Sequence, residues 1–203
     1  MALAQELREY EGTDALVMAV PRGGVPVGFV LAGELGLPMD LLLIKKIGHP
    51  ANHEYAIGAV SLTDRSVSPM EPVAAEYLDE ETERVRERLR GMNRDYRGDR
   101  PQAELRGRTI IVVDDGVATG QTLLEAIRLL RKSLPRKIIV AVPVASDTAY
   151  RMLLREADQV CCLLVPERFH GVGAFYQDFS QVSDEEVIHD MVELGRLGNR
   201  KAM

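Results

Sequence analysis

The sequence predicts an α/β fold: a parallel sheet flanked by helices on both faces, with a lid or hood inserted over one end. Three observations predict it. Apolar runs of strand length alternate with helix-compatible stretches. Those runs are almost continuously apolar, as parallel strands buried on both faces require. Residues 48–106 interrupt the alternation and read as an inserted segment over the core rather than an independent domain. With 203 residues, the chain is expected to form a single domain, 1–203, in which 166–203 supply a C-terminal hood and helix.

Each element has its own justification. Residues 15–20 are a short apolar run ending at Pro21, hence a buried strand. Residues 25–35 follow as a helix, closed by Gly36 and Pro38. Residues 39–44 give a second buried strand, ended by Lys45 and Lys46. A hairpin is expected from 55–62 and 66–67, turning at Thr63, Asp64 and Arg65. The charged segment 71–97 carries Val73, Tyr77, Val85 and Leu89 and forms one long surface helix or two shorter ones. Strand 108–113, helix 121–134, strand 137–142, helix 147–156 and strand 160–165 then restore the alternation. Ser183, followed by Asp184, Glu185 and Glu186, suits the capped start of a last helix.

Composition limits the functional classes. Apolar residues make up 46% and charged residues 28%, ordinary for a globular protein. A net charge of −6 without a basic block weighs against nucleic acid as the main partner. No apolar run approaches the roughly 18 residues of a membrane span. The first dozen residues lack the basic start and apolar core of a signal peptide. Adjacent Cys161 and Cys162 in an apolar run read as small buried residues in a reducing cytoplasm, in preference to a redox pair or metal site.

The segment 109–122 carries the chemistry. Strand Thr109–Val113 runs into two acids, Asp114 and Asp115, then into the loop Gly116, Val117, Ala118, Thr119, Gly120 and a helix start. Glycines at 116 and 120 permit positive φ and close approach, so that successive N–H groups can face a phosphate. Thr119 and Thr122 add hydroxyls and can cap the helix. A plain strand–turn–helix connection is the ordinary alternative, and the acid pair counts against it. Adjacent carboxylates also suit a metal site or a general acid and base. Leaving a strand they point different ways, which favours one direct role and one mediated by water or metal.

Pro21, Arg22, Gly23 and Gly24 follow the first strand and combine backbone donors with a guanidinium fork, a compact anion site. Lys45 and Lys46 would bring cations to the end of the second strand, although solvated lysines are the usual reading of such a pair. In a doubly wound sheet these three strand ends converge on one crevice. His49 and His53 stand four apart beside Glu54, but Pro50 and the lack of a His-Glu-x-x-His pattern disfavour zinc. Residues 169–180 concentrate three of the four phenylalanines between glycines, suiting either a stacking loop or core packing. The arginines between 84 and 97 are interspersed with acids and read chiefly as a solvated helix laced with ion pairs, with an oligomer contact or a clamp on an acidic ligand as the lesser readings.

Segment 109–122 resembles the phosphoribosyl pyrophosphate motif of the type I phosphoribosyltransferases. The set PRGGVPVG, IKKIG, AIGAV, VDDGVATG and FYQDFSQVSDEEV is similar to a bacterial group of that family with unassigned substrate. The resemblance implies a type I phosphoribosyltransferase-like core and a magnesium-dependent displacement of pyrophosphate from phosphoribosyl pyrophosphate by a nitrogen nucleophile. It implies that Gly116, Val117, Ala118, Thr119, Gly120 and Thr122 hold the 5′-phosphate. Asp114 and Asp115 would bind the ribose hydroxyls, form the catalytic group together with Lys46, and serve as indirect Mg2+ ligands. Arg22, Gly23, Gly24 and Lys45 would hold pyrophosphate, residues 48–58 would begin a flexible catalytic loop, and Phe175, Tyr176 and Asp178 would line the acceptor pocket. Ala118 stands where the hypoxanthine–guanine subgroup has an Asp, which argues against that activity. Homodimers are the family analogy. Two rivals from other classes are a non-catalytic regulatory module that binds the same ligand and a sugar-phosphate hydrolase.

Overall fold

A computed structural model describes residues 1–67, 73–98 and 100–201, without the side chains of Glu54 and 195–201. The first residues of the charged segment 71–97 lie outside the described residues.

The chain opens with a short helix, α1 (Ala2–Glu6), then β1 (Leu16–Ala19), α2 (Gly24–Leu35) and β2 (Met39–Leu41). A three-stranded antiparallel sheet follows, β3 (Lys45–His49), β4 (Asn52–Val60) and β5 (Arg65–Val67), and then the long helix α3 (Ala75–Arg97). The alternation resumes with β6 (Thr109–Val113), α4 (Gln121–Lys132), β7 (Lys137–Val144), α5 (Asp147–Glu156) and β8 (Gln159–Leu164). A 3-10 turn (Val172–Phe175) and α6 (Asp184–Lys201) complete it.

The main sheet has five strands in the order β2-β1-β6-β7-β8, all parallel. Strand alternation sends its apolar side chains to two faces. Leu16, Met18, Ile110, Val112, Ile138 and Val140 pack beneath α4 and α5. Val17, Ile111, Val113, Ile139 and Ala141 pack against α1 and α2. Each fully buried aliphatic side chain of this kind contributes about 1.5–3 kcal/mol. Strand order reverses between β1 and β6, so the crevice of a doubly wound sheet opens beyond their carboxyl ends.

The hood rests on a third cluster. Val85, Leu89 and Tyr96, spaced along one face of α3, meet Ile47 and Ile57 of the small sheet, Ala19 and Leu41 of the main sheet, and Val187 of α6. Buried Arg97, at the end of α3, donates to Asp40 of β2 from Nε at 3.0 Å and Nη2 at 2.6 Å. The other oxygen of Asp40 accepts the N–H of Ala103 at 2.9 Å, so one carboxylate ties the hood helix, the core strand and the connection to β6. A reciprocal cap starts α6: Ser183 N–H donates to Glu186 at 2.7 Å and Glu186 N–H to Ser183 Oγ at 3.1 Å.

The expected strand 39–44 is corrected. Its ladder ends at Leu41, and the chain enters the small sheet at Lys45. Leu42 and Leu43 stay buried, each 5% exposed, so hydrophobicity runs unbroken through a change of sheet. Lys45 and Lys46 therefore open an antiparallel strand and do not end a core one. Residues 48–58, expected to begin a loop, lie mainly in the β3–β4 hairpin. The charged segment forms one helix where it is described.

Candidate active site

Two loops meet at the switch point. The loop after β1 is fixed by Val20 N–H donating to Val113 O at 2.9 Å and Gly24 N–H to Val20 O at 3.0 Å. A Cβ on Gly23 would stand 2.0 Å from Asp115 Oδ2, and one on Gly24 would stand 2.6 Å from Val113 O. The two glycines thus let this loop pack directly on the acid pair, a steric need beside any anion role. The Pro21–Arg22 peptide is cis.

The loop after β6 is anchored from below. Val117 N–H donates to Val144 O and Ser146 N–H to Val117 O, both at 2.9 Å, while Ser146 Oγ donates to Ala118 O at 2.6 Å. Gly120, at φ 79°, forms the N-cap of α4 and supplies no side-chain cap. Thr119 and Thr122, expected as capping candidates, do not cap it, so the first N–H groups of a twelve-residue helix face outward without a side-chain acceptor. Gly116 does not take positive φ; it is small because Val172 and Val144 crowd it, the nearest atom standing 2.6 Å from a built Cβ.

Burial dominates the electrostatics. It pushes the Asp114 carboxyl up to about 8, and the neighbouring Asp115 charge adds to the rise. Burial also raises Asp115. Among the described residues neither acid has an ion-pair partner; Asp114 Oδ1 accepts the N–H of Asp115 at 2.9 Å. Such a pair favours an incoming cation or a proton-sharing hydroxyl. Tyr176 donates its hydroxyl to Asp115 O, and burial with both nearby acids pushes it up to about 12.

The remaining candidates divide. Arg22 lies 3.5 Å from Asp184 at the start of α6, and Tyr96 of α3 also donates to that carboxylate. Phe175 stacks on Phe169 at 5.7 Å, within its own loop. Asp178 is exposed and accepts the N–H of Ser180 at 3.1 Å. Of the three hood candidates, Tyr176 alone has a hydrogen bond to the acid loop among the described residues. Lys45 and Lys46 line a separate cleft of about 690 Å3 with His53, Arg84, Arg88 and Thr122. His49 Nδ1 accepts the N–H of Ala51 at 3.1 Å in the hairpin turn. Cys161 and Cys162 are half-buried in β8, and burial pushes Cys161 up to about 11, away from reactive thiolate chemistry.

Sequence reasoning did not find the grip of Tyr96 and Asp184 near Arg22, and no local signal could have: these residues are 88 and 162 positions apart from their partners. Arg84 and Arg88 were legible only as members of a charged helix.

The chain belongs to the phosphoribosyl transferase domain family, whose pattern it matches over residues 1–178. Two Mycobacterium tuberculosis proteins, both carrying the name "Putative phosphoribosyl transferase", are 37% identical over 192 residues, covering 92% of this chain and 43% of each relative. The chain thus spans less than half the length of these curated relatives. The crystal structure of TT1426 from Thermus thermophilus is similar with a TM-score of 0.87 and 39% identity, over 95% of this chain and 94% of that one. No helix among the described residues is long and apolar enough to cross a membrane.

Proposed function

We propose that this chain is a phosphoribosyltransferase that displaces pyrophosphate from phosphoribosyl pyrophosphate with a nitrogen nucleophile. The observation that carries the reading is the half-buried acid pair beside an uncapped helix N-terminus at the strand-order reversal. N–H groups of residues 118–122 suit a 5′-phosphate, the Val117 N–H being held by Val144 O, with Thr119 and Thr122 adding hydroxyl donors. Asp114 and Asp115 suit the two ribose hydroxyls, which donate to carboxylates. The Gly23 N–H and Arg22 suit the pyrophosphate once Arg22 leaves Asp184, while the Gly24 N–H stays on Val20 O.

Magnesium fits this donor set. Two adjacent acids without a cation partner, and no cluster of three or more metal-capable side chains among the described residues, suit an ion held mainly by substrate oxygens. Asp114 and Asp115 would hold it, directly or through water, and when bound it supplies charge neutralisation for the leaving pyrophosphate. The chain's own groups orient the ribose and keep its reacting face dry beneath Tyr176 and the hood. The electron pair of the C1–oxygen bond leaves with pyrophosphate, the nitrogen attacks the opposite face, and positive charge on the ribose develops near the acids.

Pyrophosphate release from phosphoribosyl pyrophosphate with Mg2+, measured across nucleobases and simple amines, tests the reading. Release that requires an acceptor is expected. Inorganic phosphate release without any acceptor would instead indicate a hydrolase, and tight binding without turnover a regulatory module.

A further inference from the structure

The cleft between β3, α3 and the start of α4 holds more cations than the pyrophosphate and catalytic roles that the resemblance gives Lys45 and Lys46 would use. Its volume of about 690 Å3 suits a small-molecule ligand, and Thr122, at the end of the proposed phosphate loop, forms part of its wall. Lys45, Lys46, Arg84 and Arg88 line it against one carboxylate, Glu81. Glu81 is already engaged: Arg84 donates to it from Nε at 2.6 Å and from Nη2. Among the described residues, Lys45 and Arg88 have no hydrogen-bond or ion-pair partner, unlike Arg86, Arg90 and Arg94 of the same helix, which meet Glu83 or Glu87. Two such cations from different elements thus face one concave space next to the phosphate loop.

We infer that this cleft is an anion subsite that receives a carboxylate or phosphate group carried by the acceptor, with Arg88, beside Lys45, as its specificity-determining cation. The inference rests on the transferase reading, because it names the second substrate as an anionic nitrogen nucleophile. Arg84, held by Glu81, sits beside them as a pre-oriented third cation. Both cations are exposed, so the attraction is screened and should weaken as salt rises through the physiological range.

Acceptors matched except for charge provide the test: nicotinate against nicotinamide, orotate against uracil, anthranilate against aniline. Pyrophosphate release and calorimetric binding to Mg2+–phosphoribosyl pyrophosphate-loaded protein are read in parallel, for the native chain, Arg88→Glu, Arg88→Ala and the control Arg90→Ala. A carboxylate-bearing twin is expected to be favoured by about tenfold or more, with Arg88→Glu erasing the preference through KM. Binding of phosphoribosyl pyrophosphate should change by less than about threefold, and Arg90→Ala should behave as native. Preference for neutral twins, or no binding of any charged twin, overturns the inference. So does an Arg88→Glu loss of phosphoribosyl pyrophosphate binding as large as its loss of acceptor binding, because the cations would then serve that substrate. Charge-selective binding without pyrophosphate release would retain the anion subsite and sink the transferase reading alone.

Discussion

The two walls of the site are built on opposite principles. On the core side, backbone does the work: two loops leave adjacent parallel strands, glycines let them touch, and the acids sit where water is scarce. On the hood side, long side chains do it: α3 presents arginines to solvent, most of them in pairs with acids one or two turns away. The core wall therefore holds its charges at high electrostatic cost in fixed positions, whereas the hood wall holds them cheaply and loosely. On the proposed reading, a site that fixes a reacting ribose yet admits a second substrate has use for both.

The largest expected effect probes where the two walls are joined. Arg97 and Asp40 have side chains 3% and 8% exposed and link α3 to β2. Removing the guanidinium by Arg97→Ala strands a buried carboxylate, at a cost of about 3–5 kcal/mol. Chemical denaturation should show that loss as a lower midpoint. A change below about 1 kcal/mol would mean that the hood is only loosely attached to the core.

Next comes the acid pair, where function and stability oppose each other. Burial moves Asp114 from an ordinary 3.8 to about 8. The folded state therefore holds this proton more tightly than the unfolded state. Below the ordinary value both states are protonated and nothing is lost; as pH rises toward 8, ionisation of the unfolded chain erodes stability. Asp114→Asn removes that loss, so the variant should be more stable than native by about 1–3 kcal/mol near pH 8, with the gap closing toward pH 4. Melting temperatures across that range measure it. The same variant should lose acceptor-dependent pyrophosphate release, and a stability gap independent of pH would show that burial does not govern this carboxyl.

Much of the core wall is legible in the sequence because it is local. The strand, acid pair, loop and helix start of 109–122 are contiguous, and the expected helix 147–156 forms as Asp147–Glu156, capped by Ser146 Oγ, which accepts the N–H of Ala149. The hood wall is assembled from distance. Lys45 reads as the end of a core strand because burial continues through Leu42 and Leu43, and only its antiparallel pairing with Val60 reveals the second sheet. Arg88 looks like its paired neighbours until folding brings β3 opposite it. Tyr176 is legible as an aromatic between glycines, but its bond to Asp115 O depends on the loop after β8 returning over the sheet.

Two glycines of one helix sharpen the contrast further. Gly24 opens α2 against the acid loop, and a Cβ there would meet Val113 O at 2.6 Å and Asp114 Cα at 2.9 Å. Both are backbone atoms, so Gly24→Ala must push the loops apart, and phosphoribosyl pyrophosphate turnover should fall about 100-fold. Gly33 lies nine residues on, exposed and with nothing within 4 Å of a built Cβ. Gly33→Ala should instead stabilise the chain by about 0.5–1 kcal/mol with activity kept. Equal losses in both variants would make α2 a uniformly strained element and remove the special role of its first turn.

The smallest effect is expected from Arg90, and its smallness matters to the comparison. Arg90 Nη1 lies 2.6 Å from Glu83 and 3.1 Å from Glu87, two carboxylates where Arg97 meets one. Yet its side chain is 44% exposed and those of its acids about 60%. Water and salt then compete for every charge, and the entropy of fixing long side chains offsets most of the attraction. Arg90→Ala should cost at most about 0.5 kcal/mol, and less in high salt. A double-mutant cycle with Glu83→Ala measures the coupling. A coupling above about 1 kcal/mol would place the ion pairs of α3 among the supports of the fold; a value near zero leaves burial, rather than the number of acids met, as what separates Arg97 from Arg90 of the same helix.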